Sequence, residues 1–299
     1  MTAPGATHLN VSAGLASVTV AAVLVALKFW AFVATGSLSV AASVADSALD
    51  LMVSLGGLAA ILYAARPPDD DHAFGHTSAE DLAALVQALF ITVSGLAIGW
   101  AAVLRLTAPQ PMLLQAQGPG MVVMAVSITA TLALVTWQRR VARLTGNRVV
   151  RADQLHYIGD LLPNIGAFLA LGISARWGFS QIDSLVAIAA AALMVFGALH
   201  IGKGAWDALM DRGVDPRITN RIEALAADWP GVHGYHDIKT RSAGSRFFVQ
   251  IHIELDGDQT LAEAHEISAG LKRKIIDLYP QADVIIHKDV ARKRRDLAR

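Results

Sequence analysis

The chain has no cysteine and little charge. Of its 299 residues, 17% are charged and 54% are hydrophobic, and the mean hydropathy is +0.45. The missing thiols exclude disulfides, thiolate catalysis, iron–sulfur clusters and cysteine zinc fingers, and leave any metal to His and carboxylates. Soluble domains carry roughly 25% charged residues, so the composition argues against an ordinary cytosolic enzyme and, with so much apolar side chain, against intrinsic disorder. An excess of one sign is also absent. The 25 Lys and Arg balance 25 Asp and Glu, so no global field draws in nucleic acid or an acidic substrate. No phosphate-binding Gly-rich Lys-Ser/Thr loop and no His-Glu-x-x-His string occurs, which removes a self-contained ATPase and a zincin-type hydrolase.

The charge that exists is concentrated at one end: 14 Lys/Arg and 13 Asp/Glu fall between 213 and 299. This divides the chain into a membrane-like part, 1–212, and a soluble-like part, 213–299, with Asp215-Pro216 opening the second at a helix start. Six stretches of the first part reach the ~20 apolar residues that a spanning helix needs: Gly14–Thr35, Leu38–Ala64, Leu82–Leu106, Gly120–Arg140, Leu155–Trp177 and Ile182–Leu209. Turn residues separate them, as at Gly36-Ser37, Pro67-Pro68 and Pro109–Pro111. Arg139, Arg140, Arg143, Arg148 and Arg151 crowd the loop between spans four and five, and Arg66 follows span two, whereas the loops at 35–37 and 107–119 carry no Lys or Arg. The positive-inside rule therefore places the even loops and both termini in the cytoplasm.

The last part reads as a small α/β unit of order αββαβ. Ile218, Ile222 and Leu225 recur at helical spacing, and Trp229-Pro230-Gly231 ends that helix. His236–Arg241 and Arg246–Leu255 read as a hairpin. In its second strand Phe247, Val249, Ile251, Ile253 and Leu255 alternate with Phe248, Gln250, His252 and Glu254. A helix over Leu261–Leu278 and a strand over Asp283–His287 complete one sheet with helices on one face. The basic end, Arg292–Arg295, reads as a solvated tail with weak attraction to anionic lipid.

Ionisable residues within spans cost about 2.5–3.5 kcal/mol each on insertion scales and so mark function by default. Span two carries Asp46 and Asp50; span five carries His156 and Asp160. Each pair is four residues apart and shares a helix face. Facing each other, the pairs offer three carboxylates and one imidazole, a donor set suited to tetrahedral Zn²⁺. Solvation at a helix end accounts for His156 and Asp160, which follow Arg151 closely. It does not account for Asp46 and Asp50, which lie in sequence uncharged from Phe29 to Tyr63 apart from themselves. Lys28, alone in span one, reads as a snorkelling or interhelical group.

Two further clusters stand outside the spans. In the run Asp69-Asp70-Asp71-His72 followed by Gly75-His76, His72, His76 and a preceding carboxylate can wrap a small cation. Spacing alone leaves a solvated acidic loop equally open. The last part holds His236, His252, His265, His287 and Asp289, of which His287 and Asp289 share a strand face.

With these residues in place the chain resembles the cation diffusion facilitators, and among them a bacterial branch of dimeric zinc/proton antiporters that includes ferrous-iron efflux pumps. The resemblance runs from about Gly14 to Asp289. It is carried by the strings that end at Asp50, His76, Asp160, Val232 and Asp289. It implies an α-helical inner-membrane protein of six spans with a metallochaperone-like, ferredoxin-like cytosolic domain, working as a homodimer with metal cations and protons as substrates. The implied sites are a transport site of Asp46, Asp50, His156 and Asp160, a loop site of Asp69, His72 and His76, and a binuclear interface site of His236, His252, His265, His287 and Asp289. One position departs from the branch. Ser78 stands where a Lys pairs with an Asp after span six, although Asp211 remains, which implies a differently fastened membrane-side dimer.

Metal ligands must be deprotonated, so metal and protons compete for the same side chains. Alternating access then exchanges one divalent cation for protons. Zn²⁺ or Cd²⁺ suits one His among three Asp better than Mn²⁺, and Fe²⁺ has overlapping preferences. An intramembrane metalloenzyme and a membrane metal sensor are the alternatives. Four protein ligands leave no open catalytic position for the first, and sealed-bilayer transport distinguishes all three.

Overall fold

The computed structural model describes residues 3–35, 38–107, 118–161 and 182–291. The turns at Gly36-Ser37 and Pro109–Pro111, the rest of the fifth expected span through Trp177, and the basic end lie outside these residues. The chain divides into two compact units, one over Ala3–Trp206 and one from Asp207 onward.

Among its described residues the first unit consists of helices, the loop after the second of them and the turn after the fourth: α1 (Ala3–Thr35), α2 (Leu38–Ala64), α3 (Ser78–Thr107), α4 (Gly118–Thr145), α5 (148–161) and α6 (Ile182–Leu209). Four of them, over Gly5–Ala34, Asp46–Ala64, Ser78–Leu104 and Ala187–Leu209, are long and apolar enough to cross a membrane. α2 and α6 coincide with the apolar stretches, and α1, α3, α4 and α5 overrun them. α1 begins eleven residues before Gly14, because Leu9 and Val11 pack on the core and Asn10 is buried. Hydropathy marks the lipid-contacting stretch, whereas the backbone ladder continues until its hydrogen bonds stop.

Burial in this unit is inverted relative to a soluble protein. Phe196 is 74% exposed and Trp100 67%, while Ser17, Ser54, Gln138 and Asp153 are buried. Lipid is as apolar as leucine, so helices associate through close packing and interhelical hydrogen bonds rather than through hydrophobic exclusion. Ala13, Ala84, Ala88, Ala142, Ala152, Ala198 and Ala205 fill the core with Ile61, Ile91, Val149 and Met194. At Gly159 an added Cβ would lie 2.4 Å from the end of the Met194 side chain, so the glycine gives that side chain of α6 its room against α5. α1 packs against α2 and α4, and α2 against α3.

The second unit has the expected order: α7 (Pro216–Ala227), β1 (Gly234–Ala243), β2 (Arg246–Leu255), α8 (Leu261–Leu278) and β3 (Ala282–Val290). Asp215 caps α7 by accepting from the Arg217 N–H, with Pro216 in the first turn. Bonds from the Arg217 side chain and backbone bring the Asp215 carboxyl down to about 2. α8 starts with a capping box in which the Thr260 Oγ1 accepts from the Glu263 N–H and the Thr260 N–H donates to Glu263. β2 is central, antiparallel to β1 and parallel to β3. Phe247, Val249, Ile251, Ile253 and Leu255 meet Ile222, Ala226, Leu271 and Ile275 from the two helices, which leaves the other face of the sheet open. β1 and β3 are longer than hydropathy implies, because the ladder with β2 carries on past the alternating apolar residues, to Gly234 and Ala243 in β1 and to Val290 in β3. The linker is fastened within this unit: Asp211, at φ 58, accepts from Arg241 of β1 at 3.1 Å, and the Arg241 guanidinium lies 4.3 Å from the Phe248 ring centroid.

Ile251 is fully buried at the centre of this core, and Leu261 is 81% exposed. Ile251→Ala should cost about 2–5 kcal/mol, and Leu261→Ala about 0.5 kcal/mol or less, in urea unfolding of the 207–299 fragment.

Candidate metal sites

α2 and α5 bring Asp50 and His156 together inside the helical unit. His156 Nε2 lies 3.1 Å from Asp50 Oδ1 and 3.8 Å from Asp160 Oδ2. One ligand atom from each of the three falls within 4.8 Å of the others. A tetrahedron with metal–ligand bonds of about 2.0–2.1 Å has edges of about 3.3–3.4 Å, so these separations suit a single cation with little adjustment. His156 is 4% exposed, its Nδ1 is buried with no hydrogen-bond partner among the described residues, and the Phe90 ring lies 6.0 Å away. Asp46, one turn before Asp50, is exposed and stands outside this group. Its sequence neighbour Ser47 accepts from Lys28 Nζ at 2.6 Å, so Lys28 ties α1 to α2 beside the acidic face.

The α2–α3 loop folds Asp69, His72 and His76 onto one another. The His72 N–H donates to Asp69 Oδ1 at 2.7 Å, and His72 Nδ1 lies 3.2 Å from the same oxygen. His76 Nε2 lies 3.3 Å from Asp69 Oδ2. Gly75 at φ +84 makes the reversal between the imidazoles, a backbone region that other residues enter at a cost. His76 is buried against Tyr63, with ring centroids 4.7 Å apart. Donation from the His72 backbone N–H holds the Asp69 carboxyl below the usual carboxylate range.

On the open face of the sheet, strand register builds a row. His236 pairs with His252, and His252 pairs with His287. Ring centroids along the row are 5.2 and 4.6 Å apart. Asp289 serves all three: Oδ2 lies 2.8 Å from His252 Nδ1 and 3.3 Å from His236 Nε2, and Oδ1 lies 3.2 Å from His287 Nε2. His236, His252 and Asp289 offer ligand atoms within 4.8 Å of one another. A bulge at Asp237, φ 47, interrupts the β1–β2 ladder immediately beyond His236, where such irregularities re-aim side chains. His265 stands apart, exposed on α8, whose core residues pack on the opposite face of the sheet.

Two groups escaped the sequence reading. Glu254 Oε1 lies 3.6 Å from His236 Nδ1; its alternation with His252 put it on the correct face, but only register shows that it pairs with Asp289. Asp153, buried in α5, accepts from Ser17 and Gln138, and its spacing before His156 gave no signal.

Residues 14–210 match the cation efflux transmembrane domain and residues 214–290 match the cation efflux cytoplasmic domain. The chain belongs to the cation efflux family, the cation diffusion facilitators, whose members are transporters rather than enzymes. Among its relatives are the cation-efflux pump FieF of Klebsiella pneumoniae, 39% identical over 277 residues that cover 93% of this chain and 91% of that one, and FieF of Escherichia coli O127:H6, 38% identical over the same shares. A solved structure of the putative zinc transporter CzrB covers 26% of this chain and 99% of its own, at 31% identity and a TM-score of 0.26.

The hydrogen bond from His252 holds the Asp289 carboxyl below its usual value, with the fields of His287, His252 and His236 adding to it. Asp289 therefore stays ionised across the range, near pH 6.5, in which imidazoles ordinarily take up protons. Asp289 should accordingly contribute no acid loss of its own to metal binding between pH 7 and pH 5, and titration calorimetry of the 207–299 fragment should show Asp289→Asn weakening Zn²⁺ binding throughout that range.

Proposed function

We propose that the chain is a homodimeric secondary transporter that exports Zn²⁺, with Cd²⁺ or Fe²⁺ as further substrates, from the cytoplasm in exchange for protons. The observation that carries this reading is the Asp50–His156–Asp160 group between α2 and α5. Asp46 would complete a set of four donors with a turn or so of adjustment at the start of α2. Both termini and the Arg-rich α4–α5 turn would face the cytoplasm of a bacterial inner membrane. Residues 1–212 would carry transport, and 213–299 would sense cytosolic metal.

Chemistry follows from the donor set. Facing the cytoplasm, Asp50, Asp160 and His156 release the protons they carry and take the cation as carboxylates and a neutral imidazole. Facing outward, protons reoccupy these atoms and weaken the hold on the metal. One His among carboxylates fits Zn²⁺ better than a harder cation such as Mn²⁺. The His row and Asp289 would hold Zn²⁺ at the interface of two copies, which is where His265 would meet it.

In proteoliposomes, Asp50→Ala should abolish zinc flux while leaving an inserted, monodisperse protein; flux at the wild-type rate would remove the transport-site assignment. An inward proton gradient should accelerate zinc efflux from the compartment receiving protons. Flux indifferent to the gradient at fixed membrane potential would indicate a passive channel.

For the second unit, sedimentation should show the 207–299 fragment dimerising more tightly with zinc. A site filled a hundredfold above its Kd adds about 2.7 kcal/mol to the state that binds. His287→Ala should remove much of that gain.

A further inference from the structure

Among the described residues, three carboxylates of the helical unit are buried outside the metal groups, Glu80, Asp81 and Asp153, and of these Asp153 lies three residues before His156. Asp153 is 5% exposed. Its Oδ2 accepts from Ser17 Oγ of α1 at 2.6 Å and from Gln138 Nε2 of α4 at 2.7 Å. Ser17 Oγ lies 3.0 Å from Ser54 Oγ of α2, and Ser54 Oγ lies 3.0 Å from the Tyr157 hydroxyl of α5. Three hydroxyls, each able to donate and accept, thus run in an unbroken file to the carboxylate.

The file starts beside the transport site. Ser54 is one turn beyond Asp50 on α2, and Asp153 is three residues before His156 on α5. It proceeds towards the end of the unit that carries the Arg-rich α4–α5 turn. There Ser54, Gln138 and Asp153 line a cavity of about 10 Å³ together with Ala13, Gly57 and Val149, room for about one water molecule. Asp153 Oδ1 and Gln138 Oε1 are buried with no partner among the described residues, two acceptors that the two protons of a water would satisfy. Gln87, whose amide nitrogen lies 2.9 Å from a Cβ placed on the cavity-lining Gly57, also has both amide atoms unpartnered.

This chemistry suits protons and not metal. One carboxylate, an amide and neutral hydroxyls are a poor set for a transition-metal dication, which takes imidazole and several carboxylates. Hydroxyls, a water and an acid instead make a chain along which protons hop. The titratable groups acting on Asp153 are His156 and Tyr157 on its own helix and Asp50 on α2; α1 and α4 present Ser17 and Gln138, which are neutral.

We propose that Asp153 is a proton carrier on a route separate from the metal's, passing protons from the transport site to the Arg-rich end of the unit through Tyr157, Ser54, Ser17 and a water held at Gln138. The proposal rests on the proton-exchange reading above, and wild-type protein tests that reading by itself. In proteoliposomes with an internal pH dye, wild-type flux should follow the proton gradient. Asp153→Asn keeps shape and one acceptor but cannot cycle a proton. It should lower the maximal rate of zinc-coupled proton movement by about a hundredfold, the low end of what a positioned proton carrier supplies. Its KM for zinc should remain within about twofold, on the same physical ground that the metal ligands are untouched. Asp153→Glu should recover most of the rate. Ser54→Ala, which breaks the file and keeps the acid, should slow proton movement in the same way and serves if Asp153→Asn fails to fold.

Wild-type rates in Asp153→Asn or in Ser54→Ala would overturn the route while leaving antiport intact. Equal losses in Asp153→Asn and Asp153→Glu with a raised KM would mean that the network is only interhelical glue. A wild-type protein blind to the gradient would remove the antiport reading, and the route with it.

Discussion

A bilayer core does not hydrate charge, and the arrangement of α2 and α5 follows from that constraint. Asp50, His156 and Asp160 cannot face lipid at the cost an ionised side chain incurs there, so each turns towards the others, and His156 Nε2 comes within 3.1 Å of Asp50. Small residues make the approach feasible: Gly159 lets α5 lie against Met194 of α6. Large apolar side chains such as Phe196 and Trp100 are displaced outward. The same packing that hides the acids from lipid gathers donors at cation-binding separations. An apolar isostere of the pair would pack the helices equally well, so stability does not explain why the charges are there.

What could be read in the sequence was what a fixed period encodes. Four-residue spacing put Asp46 with Asp50 and His156 with Asp160, and the alternation in Arg246–Leu255 put His252 opposite the core, because helix and strand geometry are local. Contacts between elements are not local. The sequence gives no rotation of α2 about its axis, so it does not show that Asp50 joins His156 while Asp46 stays outside the group. It likewise gives no strand register, which is what aligns His236, His252 and His287 and sets Glu254 beside Asp289. His265 matched the others in residue type, yet α8 packs across the sheet from them. The network around Asp153 was hidden for a further reason. Its members come one or two from each of four helices, and serine within an apolar run breaks no pattern.

The open sheet face is a more committed structure than a scatter of surface histidines. Cross-strand neighbours on one face are held at side-chain contact distance by the ladder itself, so the imidazole spacing is a property of the backbone and changes only if the sheet does. Asp289 adds a shared acceptor, and the row ends at the two edge strands, with a bulge at Asp237 beside His236. Arg241 lies on the same face, over Phe248, and holds Asp211. The linker leaving α6 is thereby tied to the strand that carries His236.

An exchanger must keep its two substrates from short-circuiting, since a site that passes both along one open path is a leak. Three donors at Asp50, His156 and Asp160 suit either a dication or protons, so selectivity cannot come from those atoms alone. It can come from the path. The file through Ser54 and Ser17 ends at a lone carboxylate and a cavity of about 10 Å³, too small for a hydrated metal ion and too poor in charged donors for a dehydrated one. A proton needs neither room nor several ligands, only oxygens within hydrogen-bond distance of one another. On the proposed exchange of metal for protons, dividing the routes by ligand count rather than by a gate would let one set of helices hold both substrates at the same atoms while admitting them by different ways.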